Sequence, residues 1–111
     1  MNFQCGFTTD LDNGLTVSVQ YHDCAYATRD DDDKLVSVEM ACWTTRKRPG
    51  EMKDNRLSGQ WLSRDVWPDD CIQDDVLGHL PVDKVMHMMD QAQQLLSWQV
   101  DALAVIAAKR T

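Results

Sequence analysis

The chain has 111 residues, 43% of them hydrophobic and 26% charged, which suits one folded domain with an ordinary core and is too apolar for a disordered chain. Lys and Arg number 11 against 18 Asp and Glu, a net charge of -7 that weighs against the chain as a whole clamping DNA, RNA or an anionic membrane. No apolar run approaches the roughly 20 residues that cross a bilayer, and Met1 to Gln4 lack the basic-then-apolar pattern of an export signal, so a soluble, cytoplasmic protein is expected.

Phe3, Cys5 and Phe7 alternate with polar neighbours up to Asp10-Leu11-Asp12-Asn13-Gly14, where Asn-Gly offers the positive backbone angles of a tight hairpin. Beyond it Leu15, Val17, Val19 and Tyr21 form one side of a second alternating run and Thr16, Ser18, Gln20 and His22 the other, a half-buried strand continuing to Thr28. Residues 29–34 interrupt the pattern with Asp30, Asp31, Asp32 and Asp33. Four like charges do not extend a ladder comfortably, so this stretch is expected to be an exposed acidic hairpin tip. Leu35, Val36, Val38, Met40 and Cys42 then give a third strand. Arg46-Lys47-Arg48-Pro49-Gly50 ends it and opens a basic loop over 46–56. Residues 57–67 have too poor a period to separate strand from helix, and a fourth strand is the expectation. Pro68-Asp69-Asp70 is helix-start chemistry that predicts one or two turns from Cys71 to Leu77, ended by Gly78.

The clearest element is a helix from Val82 to Lys109. Pro81 and Asp83 suit its start, Lys109 and Arg110 its end, and Val82, Val85, Met86, Met89, Ala92, Leu96, Leu103 and Ile106 recur at three and four residues. Its 28 residues would run about 42 Å, whereas a compact domain of this size is about 34 Å across. The helix therefore breaks around Gln91 to Gln94, or its end projects and is covered. Between Val100 and Ala108 every residue except Asp101 is apolar, which favours cover by a second copy through Val100, Leu103, Val105 and Ile106. A single α+β domain over 1–111 is predicted: a β-rich part, 1–67, forming an antiparallel meander of three or four strands, and a helical part, 68–111, whose long C-terminal α-helix packs on one face.

All the acids except Glu39 and Glu51 are aspartates, which favour turns and helix starts, so much of the acidity should sit in loops. Net charge is -6 over 1–45, +3 over 46–67 and -4 over 68–111. Arg46, Lys47, Arg48, Lys53 and Arg56, with Arg64, thus interrupt an acidic molecule, either as a solvated loop or as a second contact surface. Cys5, Cys24, Cys42 and Cys71 contain no C-x-x-C, and only His22 and Cys24 place two metal ligands close together, so free thiols are expected and neither metal nor other cofactor. Asp10, Asp12 and Gly14 begin like a calcium loop but lack its closing glutamate. There is no G-x-S-x-G, Gly-rich phosphate loop or H-E-x-x-H, and His22, His79 and His87 are scattered. Glu51-Met52-Lys53 and Pro68-Asp69 are fragments of a restriction-nuclease metal pattern in reversed order. A non-enzyme is expected. Met86, Met88 and Met89, with Trp98, are either core or an adaptable binding surface, and Trp43, Trp61 and Trp67 carry the same ambiguity.

These residues point to a small acidic binding protein without catalysis. Asp30, Asp31, Asp32 and Asp33, with Asp10 and Asp12, would lie where phosphates lie and mask a larger basic, nucleic-acid-handling protein or complex, with an attraction that salt weakens. In size and charge the chain is similar to phage anti-CRISPR and anti-restriction proteins and to toxin-neutralising immunity proteins, and no motif aligns with any of them. A phage protein of that kind would act as a DNA mimic in the host cytoplasm. The alternative is an oligomeric assembly protein, for example of a virus particle, in which the apolar helix builds the contacts and the acidity serves solubility.

Overall fold

The computed structural model describes residues 6–21, 28–45, 59–70 and 75–110. Strands β1 (Gly6–Asp10), β2 (Leu15–Gln20), β3 (Thr28–Arg29), β4 (Leu35–Thr44) and β5 (Leu77–Pro81) form one antiparallel sheet. Helix α1 (Ser63–Val66) follows β4, and a single 3-10 turn, Val82–Lys84, leads from β5 into α2 (Val85–Gln93) and α3 (Ser97–Lys109). The chain is therefore the expected α+β domain, a strand meander followed by C-terminal helical structure.

Strand β4 is the spine of the sheet. Ser37 faces both Thr28 and Pro81, and Met40 faces both Val19 and Leu77. A strand residue has two lateral neighbours, so β2 and β3 lie along one edge of β4 and β5 along the other. Alternation then sorts the faces. Leu15, Val17 and Val19 of β2 and Val38, Met40 and Cys42 of β4 share one face, and they are buried in one cluster with Leu62, Trp67, Met88, Ala92, Val100 and Ala107. Both α2 and α3 thus cover that face, while Thr16, Ser18, Ser37 and Ala41 belong to the other.

The two described hairpins close with the same turn. Leu11 N–H donates to Leu15 O (2.7 Å) and Gly14 N–H to Leu11 O (3.3 Å), just as Asp30 N–H donates to Lys34 O (2.9 Å) and Asp33 N–H to Asp30 O (3.0 Å). The fourth residue of each turn is left-handed, Gly14 at φ 94° and Asp33 at φ 62°. Asn13 keeps a negative φ, so Asn-Gly forms a three-residue loop with one left-handed position and not the tighter turn its sequence predicted. A left-handed backbone costs a residue that carries Cβ on the order of 1 kcal/mol and glycine almost nothing. Asp33→Gly is therefore expected to stabilise the protein by about 0.5–1 kcal/mol. Urea unfolding would show a higher midpoint at unchanged slope, and a lower midpoint would refute the strain argument.

Three expectations are corrected. Residues 59–67 do not form a fourth strand: Trp61 makes one isolated bridge to Trp43, and the chain then coils into α1. Ser63 explains the stop, because its hydroxyl accepts Cys42 N–H (2.9 Å) while Leu62 N–H donates to Cys42 O (3.0 Å), which satisfies the edge of β4 without more strand. Leu77 and Gly78 belong to β5 and not to a helix end, since the edge of β4 near Val38 and Met40 takes them as partners; Cys71 lies outside the described residues. The predicted long helix is two helices. Leu96 is extended (ψ 156°), its N–H donates to Gln99 Oε1 (2.7 Å), and α3 restarts one residue later. The break at Gln94 to Leu96 lies just beyond the expected Gln91 to Gln94, and it lets both pieces cover a molecule whose principal extents are 45 × 31 × 25 Å.

Asn13 ties the first hairpin to this break. Its buried carboxamide donates to Ala92 O (2.8 Å) and Leu95 O (2.9 Å), carbonyls freed where α2 ends, and its Oδ1 accepts Leu15 N–H (3.2 Å). At the other end of α3, Arg110 grips Asp65 of α1 through two nitrogens, at 2.8 and 3.1 Å.

Candidate functional site

The acidic tip between β3 and β4 divides its carboxylates between structure and display. Asp30 Oδ1 accepts the N–H groups of Asp32 and Lys34, both at 2.9 Å, which pins the turn. Asp33 supplies the left-handed corner, and Arg29 stands beside it, with Nε 3.9 Å from Oδ1 and Nη1 donating to its carbonyl at 3.2 Å. Asp31 and Asp32 are left exposed at the apex. The strand pair behind them is fixed by Thr28 and Ser37, whose hydroxyls hydrogen-bond to each other.

Asp10 and Asp12 sit on the other described hairpin. Asp10 Oδ1 accepts the Thr16 hydroxyl (2.7 Å), and Asp12 is exposed in the turn. Leu15 faces Thr44 at one end of β4, whereas the acidic tip enters β4 at Leu35. Ten residues at about 3.4 Å each separate the two turns by roughly 30 Å. The six aspartates are thus not gathered into one array; they form two acidic ends. Asp65 and Asp75 are neutralised within the molecule by Arg110 and by Arg64, the latter pair at 3.3 Å.

Arg46, Lys47, Arg48, Lys53 and Arg56 lie outside the described residues, as do Cys5, Cys24, Cys71 and His22. Cys42 is fully buried. Among the described residues no group of three His, Cys, Asp or Glu is placed to hold a metal ion, and no helix is long and apolar enough to cross a membrane.

The self-association residues are redistributed. Val100 is fully buried in the chain's own core and Leu103 packs against it, because Val100, Ala104 and Ala107 form the inward stripe of α3. Val105 is half-buried, and Ile106 is exposed on the outward side with Ala102 and Trp98, the last 66% exposed. The tryptophans and methionines separate similarly. Trp67 is 1% exposed, whereas Trp61 is exposed and meets Trp43 edge-on at a centroid distance of 5.3 Å. Met88 is core, but Met86 is 75% exposed and lines a trough with Phe7, Thr9 and Met89 between β1 and α2. Sequence reasoning flagged these methionines without Phe7, because nothing local links residue 7 to residue 86. Comparison of the chain with protein-family models, with curated proteins and with solved structures finds no match in any of the three.

Proposed function

We propose that this protein is a small acidic binding protein that masks a basic surface of a larger, nucleic-acid-handling protein or complex, in the manner of a DNA mimic, in the cytoplasm. The observation that carries the reading is the pair of carboxylate-bearing turns at opposite ends of β4, each pinned by backbone hydrogen bonds. Their separation of roughly 30 Å is close to one turn of B-form DNA, about 34 Å. A rigid array does not have to be ordered on binding, so the attraction of Asp31 and Asp32 for lysine and arginine is not offset by the entropy of freezing a flexible tail.

The test is a pull-down from nuclease-treated lysate at low and high salt, comparing the wild-type protein with Asp31→Asn/Asp32→Asn. Both replaced residues are exposed and neither carboxylate pins the turn, so the double variant is expected to keep its melting temperature. It is expected to recover a basic nucleic-acid-handling partner about tenfold less well. Equal recovery by the variant, or capture that high salt does not disturb, would remove this reading. A second reading, assembly from copies of the chain, has one observation in its favour: the outward row of Trp98, Ala102 and Ile106 on α3. Sedimentation as a monomer at all concentrations would eliminate it.

A further inference from the structure

The trough between β1 and α2 holds about 640 Å³ and runs into a second hollow of about 380 Å³ that shares Thr9 and Gln93 with it. Its apolar surface is Phe7, 44% exposed, with Met86 and Met89. Asp10, Asp12 and Asp90 rim the two hollows, and neither Lys nor Arg lines them among the described residues. Among the described residues Asp10 accepts only a hydroxyl and Asp90 only the Gln94 amide, and no cation there pairs with either carboxylate.

Strand β1 supplies the other half of a binding site. Among the described residues it pairs with β2 alone. Leu11 N–H bonds to Leu15 O, and hydrogen-bonded positions alternate along an antiparallel pair, so Thr9 and Phe7 direct their backbone groups to β2 while Thr8 and Asp10 direct theirs outward. A strand laid beside β1 would bond to those outward groups, and every second side chain would drop towards Phe7 and α2.

We propose that this trough takes an extended segment of a partner protein in which apolar residues alternate with lysine or arginine, added as a strand along β1. Apolar side chains fill the space between Phe7 and Met86, and the basic ones, pointing to the opposite face, meet Asp10 and the neighbouring Asp12. Charge argues against a second copy in the same place, since it would bring Asp10, Asp12 and Asp90 of two chains, each of net charge -7, together. The assignment rests on the reading of the protein as a binder of basic partners and specifies where and how a segment of one is held.

The probe is a fluorescein-labelled peptide of about ten residues alternating valine with lysine. A valine–glutamate peptide serves as the charge-reversed control. Anisotropy reads affinity, and amide chemical shifts read location. The lysine peptide is expected to bind with shifts gathered at Thr8, Asp10, Met86 and Asp90, and the control is expected not to bind. Thr8→Pro removes an outward N–H and leaves the β1–β2 ladder intact; Met86→Ser trims the apolar wall at a residue outside the core cluster. Each is expected to weaken binding about tenfold. Binding untouched by both variants, shifts confined to the tip at Asp30 to Asp33, or self-association of the protein through β1 would overturn the proposal.

The two readings fail separately. If no peptide binds but Asp31→Asn/Asp32→Asn still abolishes partner capture, the trough is wrong and the masking reading stands. If the peptide binds as expected but the tip variant captures its partner normally, the tip is wrong and the trough stands.

Discussion

Asn13→Asp is expected to destabilise the protein by about 3–5 kcal/mol at neutral pH, the range seen when a buried charge is left without a partner. The replacement is nearly isosteric, yet it turns a donor into an acceptor. The wild-type carboxamide gives both of its N–H groups to Ala92 O and Leu95 O; an ionised carboxylate there would face two carbonyl oxygens. Protonation relieves the repulsion and restores one donor. Folding therefore raises the affinity of this carboxyl for its proton, so the variant holds most of its stability below about pH 4 and loses it as the pH rises through the elevated folded-state value. Urea unfolding at pH 4 and pH 7, followed by tryptophan fluorescence, would show the gap widening with pH for the variant alone. Asn13→Ala, which removes the donors without adding charge, should cost a smaller 1–3 kcal/mol, roughly independent of pH. A carboxylate variant as stable as wild type at pH 7 would mean that the hairpin does not hold the end of α2.

Trp67→Ala is the other large effect, at about 3–5 kcal/mol. Trp67 is the largest fully buried side chain, and its indole N–H donates to Met88 O at 2.9 Å across 21 residues of sequence. Truncation leaves a cavity between α1 and α2, where neighbours held by the sheet cannot collapse to fill it. Trp67→Phe keeps most of the ring and loses the hydrogen bond, so about 1–2 kcal/mol is expected. Since small domains are stable by about 5–15 kcal/mol, the alanine variant should be partly unfolded at physiological temperature. Calorimetry would order the three proteins as wild type, phenylalanine, alanine. Similar melting of all three would place the weight of the core elsewhere.

What the sequence discloses follows the range of the forces involved. Strands β2 and β4 were legible because one face of each is buried, so Leu15, Val17, Val19 and Val38, Met40, Cys42 repeat every second residue. The acidic tip was legible because four aspartates have no other comfortable place. The break between α2 and α3 was placed only approximately, for it contains neither proline nor glycine and its carbonyls are held by Asn13, 79 and 82 residues away. Strand β5 and helix α1 were misread for a similar reason: each is short, and the edge of β4 decides its form. The acidic residues were found one by one, but not their division into two ends, which depends on the length of a single strand. Phe7 was legible as a strand residue but not as part of a trough, because an edge residue gains that meaning only beside the helix that faces it. Val100 was misassigned as an exposed contact because α3 is apolar nearly all round, and periodicity does not say which side of such a helix the sheet takes.

The residue that anchors α2 is also chemically perishable. Asn13 precedes Gly14, the neighbour whose backbone nitrogen is least hindered in attacking a side-chain amide. That attack closes a five-membered imide and expels ammonia; water then reopens the ring to aspartate or to its isomer with the backbone rerouted through the side chain. In the fold, the three hydrogen bonds of the carboxamide, with Gly14 N–H turned to Leu11 O, oppose the required approach. Each unfolding excursion releases it, and the product cannot rebuild the same anchor, so the next excursion comes sooner. Such a chain ages by its own motions, and its lifetime is written in how seldom the first hairpin lets go of the helix.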